Sequence, residues 1–263
     1  MQLNQIINQV IDVSKEAGQF IRQERKTFDP DKIEYKGLND LVSYVDKTAE
    51  QKIVAGLEKI FPEAGFITEE KTQNRLGERY NWVIDPLDGT TNFIHGLPTF
   101  SVSIALQEYD EPVLGVVYEV NQDECFYAHK EDAAYLNGRV IKVSNIPTVE
   151  ESLLATGFPY YDFTKQEAYI RMFAELMRNC HGIRRIGSAA VDLAYTACGR
   201  FEGFYEYNLN AWDIAAGIVI VKQAGGQVVN FTGGPEVINT RELLATNGKI
   251  TVEMLEYIKK YFN

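Results

Sequence analysis

The sequence predicts a layered α/β or α+β sandwich, and three observations predict it. Apolar residues recur at helical spacing near the start of the chain, short strand-like runs crowd its middle, and helical and strand-like stretches alternate from Ser152 onward. Helices and strands interleaved along a whole chain bury their apolar faces by stacking in layers.

Leu3, Ile6, Ile7, Val10, Ile11, Ala17, Phe20 and Ile21 define one face of a long amphipathic first helix. Asp29-Pro30-Asp31 breaks the chain after it. A second helix is expected from about Asp46 to Phe61, with Ile53, Val54, Leu57 and Ile60 buried and Pro62 beyond its end. Gly65–Thr68, Trp82–Ile84, Ser101–Leu106, Val113–Tyr118 and Cys125–Ala128 suit a sheet, with Pro112 placed in a hairpin turn. Asn137-Gly138 is a two-residue hairpin turn between Ala134-Tyr135 and Val140-Ile141. A strand at Leu153–Thr156 then precedes helices at about Lys165–Arg178 and Ala189–Gly199. A strand at Gly203–Tyr207 leads to a helix opening near Trp212 and ended by Gly225-Gly226. Strands at Gln227–Asn230 and Leu243–Ala245 and a last helix close the chain. No repeat or linker interrupts it, so residues 1–263 are expected to form a single unit of two packed halves meeting near Pro147.

Composition narrows the function classes. With 37 acidic against 26 basic residues, the net charge is -11 and no dense Lys/Arg run is present, which argues against nucleic acid as a partner. Pairs such as Arg184-Arg185 and Lys259-Lys260 read as solvated surface. An acidic protein that binds an anion does so through a bound cation. Cys125, Cys180 and Cys198 are scattered and form no CxxC, which points to a reducing cytoplasm. Charged Asp12, Lys15 and Glu16 rule out a signal peptide in the first twenty residues. The longest apolar runs, such as Ile214–Val221, are too short to span a bilayer, so no membrane partner is expected.

The densest chemical signal is Trp82-Val83-Ile84-Asp85-Pro86-Leu87-Asp88-Gly89-Thr90-Thr91-Asn92-Phe93. An apolar strand runs into Asp85, and Pro86 ends its pairing because it has no N–H to give. Asp85 and Asp88 flank a tight turn, so their carboxylates and the Leu87 carbonyl offer oxygen ligands of the kind Mg²⁺ takes. Gly89-Thr90-Thr91 reads as a helix start, whose free N–H groups favour phosphate. The same residues read equally well as an Asp-Pro, Asp-Gly turn with Asp or Thr as a cap. Glu69-Glu70 follows a strand, where one acid is able to hold metal and the other to orient water; adjacent glutamates are also common on surfaces. Asp213 and Asp46 each stand near a helix start, as caps or as ligands. His95, His129 and His181 show no paired ligand spacing, and no P-loop or GxGxxG is present. Phe204, Tyr205 and Tyr207 alternate in a strand, which reads as packing before it reads as a platform for a base.

Together these pieces resemble the inositol monophosphatase family of lithium-sensitive, Mg²⁺-dependent phosphatases. Asp85–Phe93 is similar to its central signature, and Trp212-Asp213-Ile214-Ala215-Ala216-Gly217 followed by Ala224-Gly225-Gly226 to its second; the likeness covers nearly the whole chain. Asp40 to Asp46, Glu69-Glu70, Gly187-Ser188-Ala189-Ala190 and Glu206 also fit. The resemblance implies an α+β fold, an α-β-α-β-α sandwich, a homodimer, two to three Mg²⁺ ions and a small phosphorylated substrate. It assigns Glu69, Asp85 and the Leu87 carbonyl to a first ion and Asp85, Asp88 and Asp213 to a second. A third lies near Glu69, with Asp46 acting through waters. Gly89 and Thr90 N–H groups are assigned to phosphate, and Thr90, Glu70 and Asp46 to orienting water. Gly187, Ser188, Ala189 and Glu206 are assigned to the alcohol. Thr68 stands where many members have Gly, and Ser188 where many have Thr. The implied reaction is hydrolysis of inositol 1-phosphate; relatives of the class act on fructose 1,6-bisphosphate, NADP, 3′-phosphoadenosine 5′-phosphate or histidinol phosphate. A non-catalytic regulatory or scaffold role is the alternative of another class.

Overall fold

Strands of the two main sheets send alternate side chains into different cores, and that partition creates the layers. The computed structural model describes residues 3–28, 33–37, 40–158 and 162–262, the side chains of 33–37 and 40–42 excepted. The expected break at Asp29-Pro30-Asp31 lies outside the described residues. In chain order the elements are α1 (Leu3–Lys26), β1 (Ile33–Gly37), β2 (Asp40–Ser43), α2 (Tyr44–Ile60), β3 (Gly65–Thr68), β4 (Tyr80–Asp88) and α3 (Thr90–His95). Then come β5 (Ser101–Glu108), β6 (Glu111–Glu119), β7 (Glu124–His129), β8 (Tyr135–Leu136), β9 (Arg139–Val140), β10 (Leu153–Thr156), α4 (Gln166–Asn179) and β11 (Gly182–Arg184). The chain ends with α5 (Ala189–Ala197), β12 (Gly203–Tyr207), α6 (Ala211–Gln223), β13 (Gln227–Val229), α7 (Val237–Thr240), β14 (Glu242–Thr246) and α8 (Thr251–Phe262).

Strands β3 to β9 lie side by side in sequence order in one sheet, antiparallel except for the parallel pair β3 and β4. The second sheet has the order β11-β10-β12-β14-β13, with β10 parallel to both of its neighbours. On β4, Trp82 and Ile84 enter a core shared with Ile7, Val10 and Ile21 of α1 and with Ile53 and Leu57 of α2. Val83, between them, faces the opposite core with Leu193 of α5 and Ile214 and Ile220 of α6. Phe204 of β12 joins that central core, whereas Tyr205 and Tyr207 face a third one with Tyr169, Met172 and Leu176 of α4 and Met254 and Ile258 of α8. The order is therefore helices, sheet, helices, sheet, helices, as expected. Each fully buried aliphatic side chain in these cores contributes roughly 1.5–3 kcal/mol. The aromatic residues of β12 are packing residues, divided between two cores.

The second signature motif has a packing reason of its own. A Cβ at Gly115 of β6 would fall 2.3 Å from the Ala216 carbonyl oxygen, and one at Gly217 would fall 2.4 Å from Leu193. Small residues at Ala215-Ala216-Gly217 let α6 lie against the large sheet on one side and α5 on the other. Pro112 departs from expectation: it lies within β6 opposite Gln107, beside a register irregularity that tolerates its missing N–H, and the turn falls at Tyr109-Asp110. The β1–β2 hairpin and the strand β11 were not foreseen.

Candidate active site

The chemistry-bearing residues come together because element ends converge. Strands β3 and β4 finish side by side, and the starts of α3, α5 and α6 meet them. The result is a cavity of about 150 Å³ whose wall includes Glu69, Asp85, Leu87, Asp88, Gly89, Thr90, Gly187, Ser188, Ala189, Glu206 and Asp213. Every residue assigned above to metal, phosphate or alcohol is on that wall. Asp46 and Glu70 are not.

Each acid is held by the local fold. Asp85 is 3% exposed and accepts the Leu87 N–H at 3.0 Å across the Pro86 turn. Its carboxyl also shares a hydrogen bond with Glu69. Asp88 accepts from the Ser188 hydroxyl at 2.6 Å and the Ala190 N–H at 2.8 Å, which fixes it against the start of α5. Asp213 accepts the Asn210 N–H at 2.6 Å, so it is the third residue of α6 in a capping box with Asn210 as the cap. Asp46 repeats this device on α2: Ser43 is the cap, and Asp46 accepts its N–H at 2.9 Å and its hydroxyl at 2.6 Å. Neither acid is the cap itself, because the capping residue lies three positions upstream. The other carboxylate oxygen of Asp46 lies 2.9 Å from Thr90 Oγ1, which is also 2.9 Å from the Leu87 carbonyl oxygen. Asp46 thus stands directly behind Thr90. Ser188 Oγ donates to Asp88 and accepts the Val191 N–H, so it caps α5 while it holds Asp88.

The electrostatics follow from crowding carboxylates in a dry place. Burial pushes Asp85 well above the usual carboxylate range, and repulsion from Glu69, Asp88 and Asp213 adds to it. Burial raises Asp213 to about 7, with Asp88 opposing its ionisation further. Burial raises Asp88 to about 6 against the donors Ser188, Ala190 and Ala189 and the charge of Arg185. Among the described residues no three acids are closed on one point as a finished cage. The donor set still fits a hard divalent cation: oxygen donors only, anionic and including a carbonyl, and unable to ionise together without protons or a counter-cation. No histidine joins them; His95 and His181 are exposed and His129 is committed to Asn4. The cysteines are free.

Four contributors were not singled out in the sequence. Glu50 of α2 is fully buried and accepts from the Glu70 N–H, the Thr72 N–H and the Thr72 hydroxyl, tying down the turn that presents Glu69. Asn92 bridges α3 to the loop that enters α5, donating to the Thr99 and Ile186 carbonyls. Arg184 and Arg185 are both exposed, as expected of a solvated pair, and Arg185 also lines the mouth of the cavity with its guanidinium 5.5 Å from the Phe158 ring centre. Asp192 also lies on the wall. Removing the Glu50 acceptor in Glu50→Ala is expected to cost about 2–4 kcal/mol of stability and to weaken Mg²⁺ affinity. Calorimetry and Mg²⁺ titration check both; unchanged Mg²⁺ affinity would free the Glu69 turn from Glu50.

No described helix is long and apolar enough to cross a membrane. Nus factor SuhB of Escherichia coli (strain K12) is 39% identical over 254 residues, which cover 96% of this chain and 95% of that protein. Inositol-1-monophosphatase of Mesorhizobium japonicum is 35% identical over 256 residues, 97% of this chain and 96% of that protein. The crystal structure of the extragenic suppressor protein suhB from Bartonella henselae superposes with a TM-score of 0.92 at 37% identity, covering 97% of this chain and 98% of that one. The model of the inositol monophosphatase family matches residues 2–262, and the chain belongs to that family.

Proposed function

We propose that the chain is a Mg²⁺-dependent phosphomonoesterase whose preferred substrate is an inositol monophosphate. The observation that carries this reading is the gathering of Glu69, Asp85, Asp88 and Asp213 around one cavity with the Gly89–Thr90 turn and Glu206. Family membership supports a metal-dependent phosphatase. Glu69, Asp85 and the Leu87 carbonyl would hold one ion, and Asp85, Asp88 and Asp213 another, with a third beside Glu69. Bound Mg²⁺ would supply charge neutralisation and a lowered pKa for water.

The chain's own groups do the rest. Gly89 and Thr90 N–H groups orient the phosphate. Thr90 Oγ1 has one proton to donate, and giving it to Asp46 leaves lone pairs on the cavity side to accept a hydrogen from water. The water oxygen bonds to phosphorus as the bond to the alcohol oxygen breaks on the far side, with no phosphoenzyme. The water's proton passes through Thr90 to Asp46, whose affinity for protons burial increases, or goes to Glu70; the leaving alkoxide is protonated from solvent. Gly187, the Ser188 main chain, Ala189 and Glu206 face the alcohol. Thr90→Ala is expected to lower turnover by about 10²-fold with little change in Mg²⁺ affinity; turnover within a factor of two of wild type would remove Thr90 from the proton path.

The direct test is phosphate release from inositol 1-phosphate, fructose 1,6-bisphosphate, NADP and 3′-phosphoadenosine 5′-phosphate, with and without Mg²⁺. Mg²⁺-dependent release with a preference for the inositol ester supports the reading, and no release from any ester overturns it. The same reading carries a cytoplasmic homodimer and inhibition by lithium. A second reading, a regulatory partner of another macromolecule, is favoured by the name Nus factor that relatives bear. It bears on the expectation of no nucleic-acid partner, which rests on the chain's acidity and its lack of a dense Lys/Arg run. Cellular rescue by a variant without Asp85 would favour this second reading over catalysis.

A further inference from the structure

The alcohol side of the cavity holds a second buried acid besides Glu206. Asp192 lies within α5, is 2% exposed and is on the cavity wall. Its Oδ1 has no hydrogen-bond partner among the described residues. A buried carboxylate oxygen left so is costly, and the cost is offset when a ligand brings a donor. Glu206 is 8% exposed and on the same wall. Its carboxylate lies on the main chain of Gly157: a Cβ there would fall 2.0 Å from one oxygen and 2.2 Å from the other. No positive φ demands glycine at this position, so the requirement is for space.

Burial and then the charge of Glu206 oppose the ionisation of Asp192, burial and then Asp213 oppose that of Glu206, and Arg185 counters both. That guanidinium bears on what kind of donor belongs here. An incoming ammonium would meet a cation already in place, whereas a neutral hydroxyl brings a donor without added charge. Two acceptors on the wall of one cavity, near enough for the charge of Glu206 to act on Asp192, suit two hydroxyls of one molecule.

We infer that Asp192 is a specificity-determining residue which, with Glu206 seated on Gly157, accepts hydrogen bonds from hydroxyls of a polyol leaving group. This rests on the phosphatase reading above and names what the alcohol side of that site selects. Sites that hydrogen-bond a substrate hydroxyl discriminate strongly against analogues lacking it, because their buried groups are then left unpaired.

The test is steady-state kinetics with inositol 1-phosphate and with 4-nitrophenyl phosphate, whose leaving group has no further hydroxyl, at saturating Mg²⁺. Wild type, Asp192→Asn, Asp192→Ala and Gly157→Ala are compared, with melting temperatures. In Asp192→Ala the ratio of kcat/KM for the polyol ester to that for the aryl ester is expected to fall about tenfold or more, mainly through KM. Asp192→Asn should fall between, because its amide oxygen still accepts. Gly157→Ala should lower the same ratio by displacing Glu206. Melting temperatures of the Asp192 variants should stay level or rise, since a buried unpaired carboxylate is lost. An unchanged ratio in Asp192→Ala, or equal losses on both esters with a lowered melting temperature, overturns the inference and leaves the phosphatase reading standing. A wild type that hydrolyses neither ester overturns both.

Discussion

Asp85→Asn is expected to lose Mg²⁺-dependent phosphate release by about 10³-fold or more and, freed of divalent cations, to melt at a higher temperature than wild type. Both effects come from one change. Asn keeps the shape of Asp and still offers an oxygen to the Leu87 N–H, so the Pro86 turn survives. What disappears is a charge repelled by Glu69, Asp88 and Asp213 in a place where burial alone already resists ionisation. Replacing a buried, unneutralised charge by a neutral isostere is stabilising when no counter-ion is present. The same charge is the only one assigned to both ions, so its removal weakens both together. Stability and activity moving in opposite directions is the signature of a residue kept for function at the expense of the fold. Calorimetry in chelator and phosphate release over a Mg²⁺ series check the two halves. Near-wild-type turnover would detach Asp85 from catalysis, and a lower cation-free melting temperature would make it an ordinary structural carboxylate.

Much of this was legible because local signals and tertiary structure agree. The apolar run into Asp85-Pro86 is a strand ending in a turn, and the small residues after Asp213 mark a helix pressed between layers. The Asn137-Gly138 turn fell where its backbone preference put it. The misses have separate causes. Asp46 and Asp213 read as caps because each stands near a helix start; Ser43 and Asn210 three residues earlier complete the boxes, and that spacing was present in the sequence. Asp192 had a signal too, the one charged residue in a helix whose nine residues are otherwise uncharged and all buried. Glu50 had none. In Ala49-Glu50-Gln51 it looks like a solvated helix residue, and only the docking of Thr72 and the Glu70 N–H gives it a reason to be inside. Arg185 reads as surface and is exposed; only the fold shows that its charge stands near Asp88 and Glu206.

In chelator, the protein is expected to become less stable as pH rises from about 5 to about 8, and Mg²⁺ should restore most at the alkaline end. Asp88 rises from 3.8 to about 6 on folding and Asp213 from 3.8 to about 7, burial being the first cause of each. A carboxyl whose pKa is higher folded than unfolded binds protons more tightly in the native state. Its contribution to stability is full below the unfolded value and is lost as pH climbs through the folded one. For these two the loss therefore falls between pH 3.8 and about 7, with Asp85 acting in the same direction. Glu108 is shifted the opposite way, to about 2, so it acts only at more acidic pH and does not mask the trend. The summed effect is on the order of a few kcal/mol, or about 5 °C or more in melting temperature for a chain of this size. Cations compete with protons for the same oxygens, so stabilisation by Mg²⁺ should shrink toward pH 5, where the site is protonated, and grow toward pH 8. Melting curves across this range with chelator and with saturating Mg²⁺ decide it. A chelated protein equally stable at both ends, or a Mg²⁺ gain independent of pH, would mean that these carboxyls do not form the cation site.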